Sequence, residues 1–268
     1  MEQTRLTDFG RIDQTADPAP FIHFLDAACA EASFRVYKRQ LAEALGLPGD
    51  LAILDVGCGT GDDVRDMAQL VSGRGRIVGL DNSQVMITEA CKRAEGGGLP
   101  VEFQVGDALA LPFDSDAFDG CQADRSLMHV PDPRRALSEM LRVTRPGGRL
   151  ALFEVDFGTV ALDTNQRVLF RRVLGTWCSA LRDDWLGRRL PALLKDLGLQ
   201  DVRVVPHTLI LTPPLALPIL GTATVEKAVN DGTVTPEEGK TWLDHLDALQ
   251  RSGRYFSTMT GYLVAGKK

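Results

Sequence analysis

The five cysteines of this 268-residue sequence include no closely spaced pair. Zinc sites and redox centres usually need two cysteines about two to four residues apart, and disulfide-stabilised domains need an even set. We therefore expect no metal site and no disulfide framework, but reduced thiols in a cytoplasmic protein. The cysteines are Cys29, Cys58, Cys91, Cys121 and Cys178.

The sequence also lacks a hydrophobic run long enough to span a membrane, and residues 1–20 contain no apolar signal core. Positive charge is scarce, because 30 Lys and Arg stand against 36 Asp and Glu, giving a net charge of −6 without a basic cluster. Nucleic acids are bound mainly through Lys and Arg on phosphates, so we expect no nucleic-acid partner. A small-molecule substrate is expected, and both a monomer and a homodimer remain open.

Apolar segments of strand length alternate with helical patterns through the first half of the chain. The predicted strands are 51–57, 76–81, 101–106, 118–123 and 149–156, followed later by 201–211 and 255–265. The predicted helices between them are 61–72, 83–95 and 133–144. This order predicts an α/β fold with a Rossmann-like, doubly wound, seven-stranded sheet, mostly parallel with one antiparallel edge strand.

Helical patterns outside this alternation predict a cap on the sheet. They cover residues 21–45, 163–182, 188–198, about 215–230 and 236–251, and Thr235, Pro236 and Glu238 form a capping box at the start of the last one. Without internal repeats or low-complexity linkers, we expect one core with insertions. Its expected parts are an N-terminal helical lid (1–45), a cofactor-binding core (46–211), a helical insertion (212–252) and a final edge strand (253–268).

The most informative segment is residues 53–61, with the sequence ILDVGCGTG. An apolar strand ends at an acid, three glycines alternate with other residues, and a helical pattern begins at Asp62. Gly57 and Gly59 have no Cβ atom, so a ligand can approach the main chain there. A strand, a glycine turn and a helix start form a typical site for a nucleotide-like cofactor. The expected cofactor-binding residues of this turn are Asp55, Gly57, Cys58 and Gly59.

Acidic residues distinguish this turn from a dinucleotide-binding turn. The Gly-x-Gly-x-x-Gly fingerprint needs a third glycine where this chain has Asp62, and Asp63 follows. With Asp55, three carboxylates lie in this turn. Each of them would repel a phosphate charge about 4–8 Å away by about 2–4 kcal/mol at an effective dielectric constant of about 20. S-adenosylmethionine carries a sulfonium, an ammonium and no phosphate, and therefore suits this turn. There are two alternatives. The protein is an NAD-dependent oxidoreductase, or the segment is a plain strand–helix turn whose acids complement the helix dipole.

Four segments in order complete the pattern: LDVGCGTG at 54–61, VGLD at 78–81, GDA at 106–108 with LPF at 111–113, and RPGG at 145–148. Over roughly residues 35–211 the chain resembles the class I S-adenosylmethionine-dependent methyltransferases. It is most similar to the ubiquinone and menaquinone C-methyltransferase branch (methyltransferase domain 11 type). The resemblance implies methyl transfer to an O, N or C atom of a small organic molecule, for example in secondary metabolism, with S-adenosylhomocysteine as product. A cyclase, an isomerase or a noncatalytic relative remains an alternative.

Two strand-end acids are expected to bind the nucleoside part of the cofactor. Asp81 can accept hydrogen bonds from both ribose hydroxyls, with Asn82 beside it; otherwise Asp81 is an acid at a helix start, next to Ser83. The resemblance implies that Asp107 binds the adenine amino group and that the N–H of Ala108 meets a ring nitrogen. The structural alternative for Asp107 is an Asx turn.

Three further residues complete the expected cofactor site. Met86 is expected on the adenine face, although a methionine at this spacing also suits a plain core position. The resemblance implies that Asp124 and Arg125 lie beside the methionine moiety, mainly through backbone groups.

His129 and Asp156 are the candidate catalytic residues. Imidazole titrates near neutrality, and many members of the family that the chain resembles carry histidine at the position matching His129. Alternatively, His129 braces the turn at 131–133. Glu154 and Asp156 are both candidates for a second base, and only one of them is expected to face the pocket because side chains alternate along a strand. Asp156 is preferred because it lies nearer the end of its strand. Apolar walls of a substrate chamber that opens and closes are expected from Phe21, Phe24, Tyr37, Phe157, Trp177 and Trp185, with a position in the core as the alternative for each of them.

Overall fold

The computed structural model describes Thr7 and residues 9–268, so that residues 1–6 and 8 of the predicted lid lie outside the described residues. Seven strands of this part form one sheet. In chain order they are β1 (Ala52–Val56), β2 (Arg76–Asp81), β3 (Val101–Val105), β4 (Phe118–Asp124), β5 (Thr144–Leu162), β6 (Gln200–Ile210) and β7 (Ser257–Lys267). All seven were predicted from the apolar pattern, and β5 is longer than expected at both ends.

The strand order is β3-β2-β1-β4-β5-β7-β6. The first five strands of this order are parallel, and β7 runs antiparallel to both β5 and β6. The predicted antiparallel pair at the sheet edge is confirmed, but the outer position belongs to β6 and not to residues 253–268. The reason is burial: β7 carries the buried Leu263 and Val264, whereas most β6 residues are exposed and Pro206 has no N–H for a second ladder.

Ten α-helices surround the sheet in the described residues. They are α1 (Ala19–Ala30), α2 (Ala32–Leu45), α3 (Asp62–Ala68), α4 (Gln84–Ala94), α5 (Pro133–Val143), α6 (Arg167–Ala180), α7 (Leu186–Asp196), α8 (Pro213–Leu220), α9 (Thr222–Asn230) and α10 (Pro236–Arg251). Short 3-10 helices cover Phe9–Gln14 and Leu127–His129. The capping box at Thr235 is confirmed, because its side chain accepts from Glu238 N and Glu238 accepts from Thr235 N.

The predicted helix over 215–230 is two helices, α8 and α9. Gly221 between them has an extended backbone, and a Cβ atom there would collide with the carbonyl oxygen of Leu217. The N-terminal helical pattern likewise divides at Glu31, which is extended between α1 and α2.

The core lies on both faces of the parallel strands, and β1 is buried almost completely. On one face, the ring of Tyr37 from α2 stacks on Phe153 of β5 with centroids 3.5 Å apart. On the opposite face, α5 and α7 pack against β5. The carboxyl ends of β1 to β5 therefore meet at one open edge, where loops and the helical cap enclose a cavity.

Candidate active site

A cavity of about 710 Å³ lies at the carboxyl ends of the parallel strands. Its lining includes residues that end or follow β1, β2, β3, β4 and β5, together with parts of the N-terminal segment, α6 and α8. The structure brings most of the sequence-predicted site residues to this lining: Gly57, Gly59, Asp81, Asn82, Met86, Asp107, Ala108, Asp124, Arg125 and His129. Asp55, Cys58 and Asp156 are outside it.

The glycine turn is held against its neighbours by main-chain contacts. The N–H of Gly57 donates to the carbonyl of Leu80 at 2.7 Å, and the N–H of Gly59 donates to Oδ2 of Asp81 at 2.9 Å. Gly57 has a φ of +79°, and a Cβ atom there would lie 2.8 Å from Oγ of Ser126. Glycine is therefore required both for the turn and for its close approach to the loop after β4.

Asp81 joins the glycine turn to the start of α4. Its Oδ1 accepts from the N–H of Ser83 at 2.9 Å, while Oδ2 accepts from Gly59. Burial raises the pKa of Asp81 above its ordinary value. Each carboxylate oxygen has a second lone pair, so these backbone contacts orient the side chain and leave acceptor capacity toward the cavity.

The residues around the predicted adenine site have structural contacts of their own. Oδ1 of Asp107 accepts from the N–H of Leu109 at 2.8 Å, which is the Asx turn proposed as an alternative. Met86 is 1% exposed and packs with Phe21. The side chain of Asn82 donates to the carbonyl of Gly10 at 3.3 Å. All three residues thus line the cavity and also support the local fold.

A buried charge cluster lies beside the glycine turn. Lys38 on α2 forms ion pairs with Asp63 and, at 3.0 Å, with Asp124. The hydroxyl of Tyr37 donates to both oxygens of Asp124 at 3.0 and 3.1 Å, and Nε of Arg125 donates to Oδ1 at 3.2 Å. This cluster was not predicted, because no local motif connects α2 with the end of β4.

The charge cluster makes the glycine turn less negative than the sequence predicts from Asp55, Asp62 and Asp63. Burial raises the pKa of Asp63 to about 6 and, with the nearby Asp63 charge, raises that of Asp55 as well. Burial opposes ionisation of Asp124 too, but Arg125 and Lys38 lower its pKa to about 2. Asp62 pairs with Arg65 on the same helix. The acids of the turn are therefore partly neutralised, and its net charge is less negative than the sequence suggests.

Asp55 and Cys58 support the turn from below. Asp55 is 2% exposed and accepts a long 3.5 Å hydrogen bond from Nε2 of Gln122. The sulfur of Cys58 lies close to Gly79 on β2. A Cβ atom added to Gly79 would be only 2.9 Å from this sulfur. Neither side chain lines the cavity, so a direct cofactor contact by these side chains is not seen.

His129 lies in the cavity wall at the end of the 3-10 helix Leu127–His129. Its ring tilts against Phe9 with centroids 5.2 Å apart. Burial, reinforced by the charge of Arg125, lowers its pKa to about 4, so the imidazole is neutral at pH 7. Within the described residues, its side chain forms no hydrogen bond to the turn at 131–133, which the bracing alternative had suggested.

The structure places Asp156 outside the cavity, in contrast to the sequence prediction. Its carboxylate forms a two-point ion pair with Arg188 of α7, including Nη2 to Oδ1 at 2.7 Å, and accepts from Gly158 N at 3.0 Å. Glu154 and Asp156 are two residues apart and share one face of β5, whereas Val155 between them lines the cavity. The prediction that one of the two acids faces the pocket is therefore wrong, because side chains two residues apart lie on the same face of a strand and both acids point away from the cavity.

Glu154 supports the loop that carries His129. Its Oε1 accepts from the N–H groups of Leu127 at 2.7 Å and Met128 at 3.4 Å. Its Oε2 is buried without a hydrogen-bond partner among the described residues. Burial raises the pKa of Glu154 from 4.5 to about 8.

Glu154→Gln is expected to flatten the pH dependence of stability. Because the folded pKa exceeds the unfolded one, Glu154 stabilises the fold fully below about pH 4.5 and loses this contribution as pH rises through 8. Between pH 5 and 9 the wild type should lose about 3–5 kcal/mol more of its free energy of unfolding than the variant. Urea unfolding at both pH values measures this; parallel losses in the two proteins would contradict it.

The predicted apolar walls are found in part. Phe24, Phe157 and Trp177 line the cavity. Phe21 and Tyr37 are completely buried behind it, and Trp185 is half exposed beneath the guanidinium of Arg188. The cavity therefore has an apolar side formed by α1, α6, α8 and the end of β5.

An N-terminal strap, residues 9–14, also contributes to the wall; it lies within the predicted lid (1–45), although none of its residues was singled out from the sequence. Phe9 and Ile12 line the cavity. The carboxylate of Asp13 accepts from the hydroxyl of Ser83 at 2.5 Å and from the N–H of Gln84 at 2.8 Å. This aspartate fixes the strap to the start of α4, and its distant partners left no signal in the sequence.

Two negative observations apply to Thr7 and residues 9–268. No group of three or more His, Cys, Asp or Glu side chains there could hold a metal ion. No helix in this part is both long enough and apolar enough to cross a membrane.

A protein-family profile described as "Methyltransferase domain" matches residues 48–190, the segment that contains the glycine turn, Asp81, Asp107 and Asp124. This chain belongs to the methyltransferase-domain family. It is an S-adenosylmethionine-dependent methyltransferase, and the cofactor prediction is confirmed at the level of the family.

The chain is similar to one relative over nearly its whole length and to another over about half of it. This methyltransferase is 36% identical over 266 residues to an uncharacterised 37.1 kDa protein of transposon Tn4556 from Streptomyces fradiae, covering 96% of this chain and 74% of that protein. It is 34% identical to a 2-phytyl-1,4-naphtoquinone methyltransferase from Synechococcus elongatus, covering 54% of this chain and 62% of that enzyme. The chain thus spans about three fifths of this named relative.

Solved structures share the fold. The YcgJ protein from Bacillus subtilis superposes with a TM-score of 0.62 at 20% identity, covering 87% of this methyltransferase and 98% of that chain. The 4+2 cyclase SpnF superposes with a TM-score of 0.55 at 25% identity, covering 87% and 80%. The predicted Rossmann-like methyltransferase fold is confirmed.

Proposed function

We propose that the enzyme methylates a small organic molecule that enters the apolar side of the cavity, next to His129. The main support is the division of one cavity into two chemically different sides. Strand-end acids and the glycine turn form one side, and aromatic and aliphatic residues of α1, α6 and α8 form the other. A charged cofactor suits the first side, and a largely apolar acceptor suits the second.

The cofactor contacts are proposed as follows. Asp81 accepts from the ribose hydroxyls, with Asn82 beside it; Asp107 and Ala108 bind the adenine, and Met86 packs on its face. Gly57 and Gly59 allow close approach of the methionine moiety, next to Asp124 and the backbone of Arg125. The residues fit the cofactor, because a cationic group is favoured beside the buried Asp63 and Asp124, whose only basic partners among the described residues are Lys38 and Arg125.

When bound, S-adenosylmethionine supplies an electrophilic methyl group. The protein then has to align the acceptor, exclude water and manage the acceptor's proton. Phe24, Phe157 and Trp177 exclude water from the acceptor side. His129 is the proposed proton acceptor or hydrogen-bond partner, because its neutral imidazole faces the same space. Asp156 has no catalytic role in this proposal, because its carboxylate pairs with Arg188 and lies outside the cavity.

His129→Ala is expected to lower kcat by about 10–100-fold while the Kd for S-adenosylhomocysteine changes less than about twofold. The imidazole is neutral above its pKa of about 4, so His129 itself should cause no change of activity between pH 6 and 8. Steady-state kinetics and titration calorimetry measure the two quantities. If kcat is unchanged and the melting temperature falls, His129 has a bracing role instead.

Calorimetry with the full chain tests the cofactor assignment. S-adenosylmethionine and S-adenosylhomocysteine are expected to bind, and NAD is expected to give no heat above dilution. Release of S-adenosylhomocysteine is then followed with a panel of acceptors that includes naphthoquinols, phenols and apolar amines. Turnover of a naphthoquinol would connect this enzyme to the substrate class in the name of its relative from Synechococcus.

A non-methylating role is the second candidate, because the neighbouring SpnF structure is a 4+2 cyclase at 25% identity. The release of S-adenosylhomocysteine separates the two roles. A cyclase converts its substrate without consuming the cofactor, whereas a methyltransferase forms one equivalent of S-adenosylhomocysteine for each product molecule.

Cytoplasmic location and a role in secondary metabolism remain proposals. The five cysteines are free thiols, which supports a reducing compartment. The absence of a basic cluster from the sequence supports a small-molecule partner over nucleic acid.

A further inference from the structure

Arg125 presents unused hydrogen-bond donors to the cavity. Its side chain is 14% exposed and lines the cavity, with the guanidinium 5.0 Å above the ring of Phe34. Nε donates to Asp124, but the two terminal amino groups have no hydrogen-bond partner among the described residues. A guanidinium has a fork of donors suited to an oxygen anion. Two of its three nitrogens are therefore available to a ligand.

The backbone fixes this side chain at the loop after β4. Arg125 has a φ of +52°, an uncommon conformation for a residue with a Cβ atom, and its N–H donates to the carbonyl of Phe153 at 2.7 Å. Such backbone strain is frequent at functional sites. The titratable groups that face Arg125 come from α1, α2, β4, β5 and the His129 loop; they are Cys29, Tyr37, Lys38, Asp124, His129 and Glu154.

Lys38 is a second cation that pairs with Asp124, so the terminal amino groups of Arg125 are not needed there and remain available to the acceptor. Lys38 lies beside Asp63, at the helix that follows the glycine turn, and is therefore on the cofactor side. The guanidinium of Arg125 pairs with Asp124 through Nε only, and its charge also helps to lower the pKa of the His129 imidazole. The charge of Arg125 thus reaches the side of the cavity where the acceptor is proposed to bind.

His129 alone is a weak base for an acidic hydroxyl. Its pKa of about 4 is some six units below that of an ordinary phenol, so proton transfer between them is unfavourable by roughly a millionfold. A positive charge beside the hydroxyl reduces this difference by stabilising the oxygen anion. Activation of a phenol or an enol in this cavity therefore needs a nearby cation.

We propose that Arg125 is a catalytic residue that binds the acceptor through an acidic hydroxyl and stabilises its anion. The O–H bond breaks, the electron pair stays on oxygen beside the guanidinium, and the proton passes to water. The acceptor class is then a phenol or an enol, methylated on that oxygen, or on a conjugated carbon whose own C–H proton then passes to water as the hydroxyl form is restored. This inference rests on the proposed function.

The chromophoric phenol 4-nitrophenol tests the proposal without turnover. The full chain is saturated with S-adenosylhomocysteine and titrated with the probe one pH unit below the probe's own pKa, where about one tenth is ionised in water. The absorption of the bound probe gives its ionised fraction. We expect more than half to be ionised on the wild type, a shift of at least about tenfold in the ionisation constant. Arg125→Gln should remove this shift, and Arg125→Lys should retain part of it.

Several outcomes would overturn the proposal. They are a wild type that does not bind 4-nitrophenol, a bound probe ionised no more than in water, and an Arg125→Gln protein that keeps the shift. If Arg125→Gln abolishes S-adenosylhomocysteine binding but leaves the ionisation shift of 4-nitrophenol unchanged, Arg125 binds the cofactor carboxylate. This result also overturns the proposal. The wild-type measurement remains decisive if a variant does not fold. Calorimetry on the same sample separates the two proposals, because absent S-adenosylhomocysteine binding contradicts the proposed function itself.

Discussion

Asp81→Ala is expected to weaken the binding of S-adenosylhomocysteine by about 100-fold or more. The carboxylate is proposed to accept from two ribose hydroxyls, and a hydrogen bond to a charged acceptor contributes about 1.5 kcal/mol or more. Two such bonds give about 3 kcal/mol, which corresponds to more than a hundredfold in Kd. The substitution also removes the acceptor that orients the N–H groups of Gly59 and Ser83. Titration calorimetry measures the loss.

Asp81→Asn is the matched control. The amide keeps one acceptor oxygen and the shape of the side chain, so we expect a Kd between those of the wild type and the alanine variant. Circular dichroism and thermal unfolding establish that both variants fold. A folded alanine variant with wild-type affinity would show that Asp81 has only its structural role at the start of α4.

Lys38→Met is expected to reduce the free energy of unfolding by about 3–5 kcal/mol at pH 7.5. Its ammonium group is the partner of two carboxylates, Asp63 and Asp124, and all three side chains are 13% exposed or less. Removing the cation leaves Asp63 without a basic partner and Asp124 with only Arg125. Urea unfolding at constant ionic strength measures the change.

Two variants control for the loss of a lysine. Lys240→Met breaks an exposed ion pair with Asp244 and should have little effect on stability. In the double variant of Lys38→Met with Asp63→Asn, one uncompensated carboxylate is gone, so most of the stability should return. If the double variant is as unstable as the single one, the loss comes from packing of the lysine stem and not from buried charge.

The sheet could be predicted from the sequence because its central strands are covered on both faces. Strands such as β1 and β2 therefore consist of short apolar runs, and the acids at or next to their ends mark the edge where loops converge. Asp81 and Asp107 were found in this way, since a strand end in a parallel sheet predicts position without knowledge of distant partners.

Contacts between distant segments could not be predicted. Lys38 meets Asp124 across 86 positions of the chain, and Asp13 meets Ser83 across 70. Asp156 was assigned incorrectly because an acid near a strand end does not reveal which face of the strand it occupies. The structure shows that the carboxylate points away from the cavity, toward Arg188 on α7.

The outer strand of the sheet has a consequence for how copies of the chain meet. Val204, Val205 and Ile210 are exposed on β6, and such an apolar border invites another strand to add to it. Pro206 interrupts the border near its middle, because it cannot supply the N–H that a continuous ladder requires. Pro206 thereby limits how far another strand could pair along this edge of the sheet.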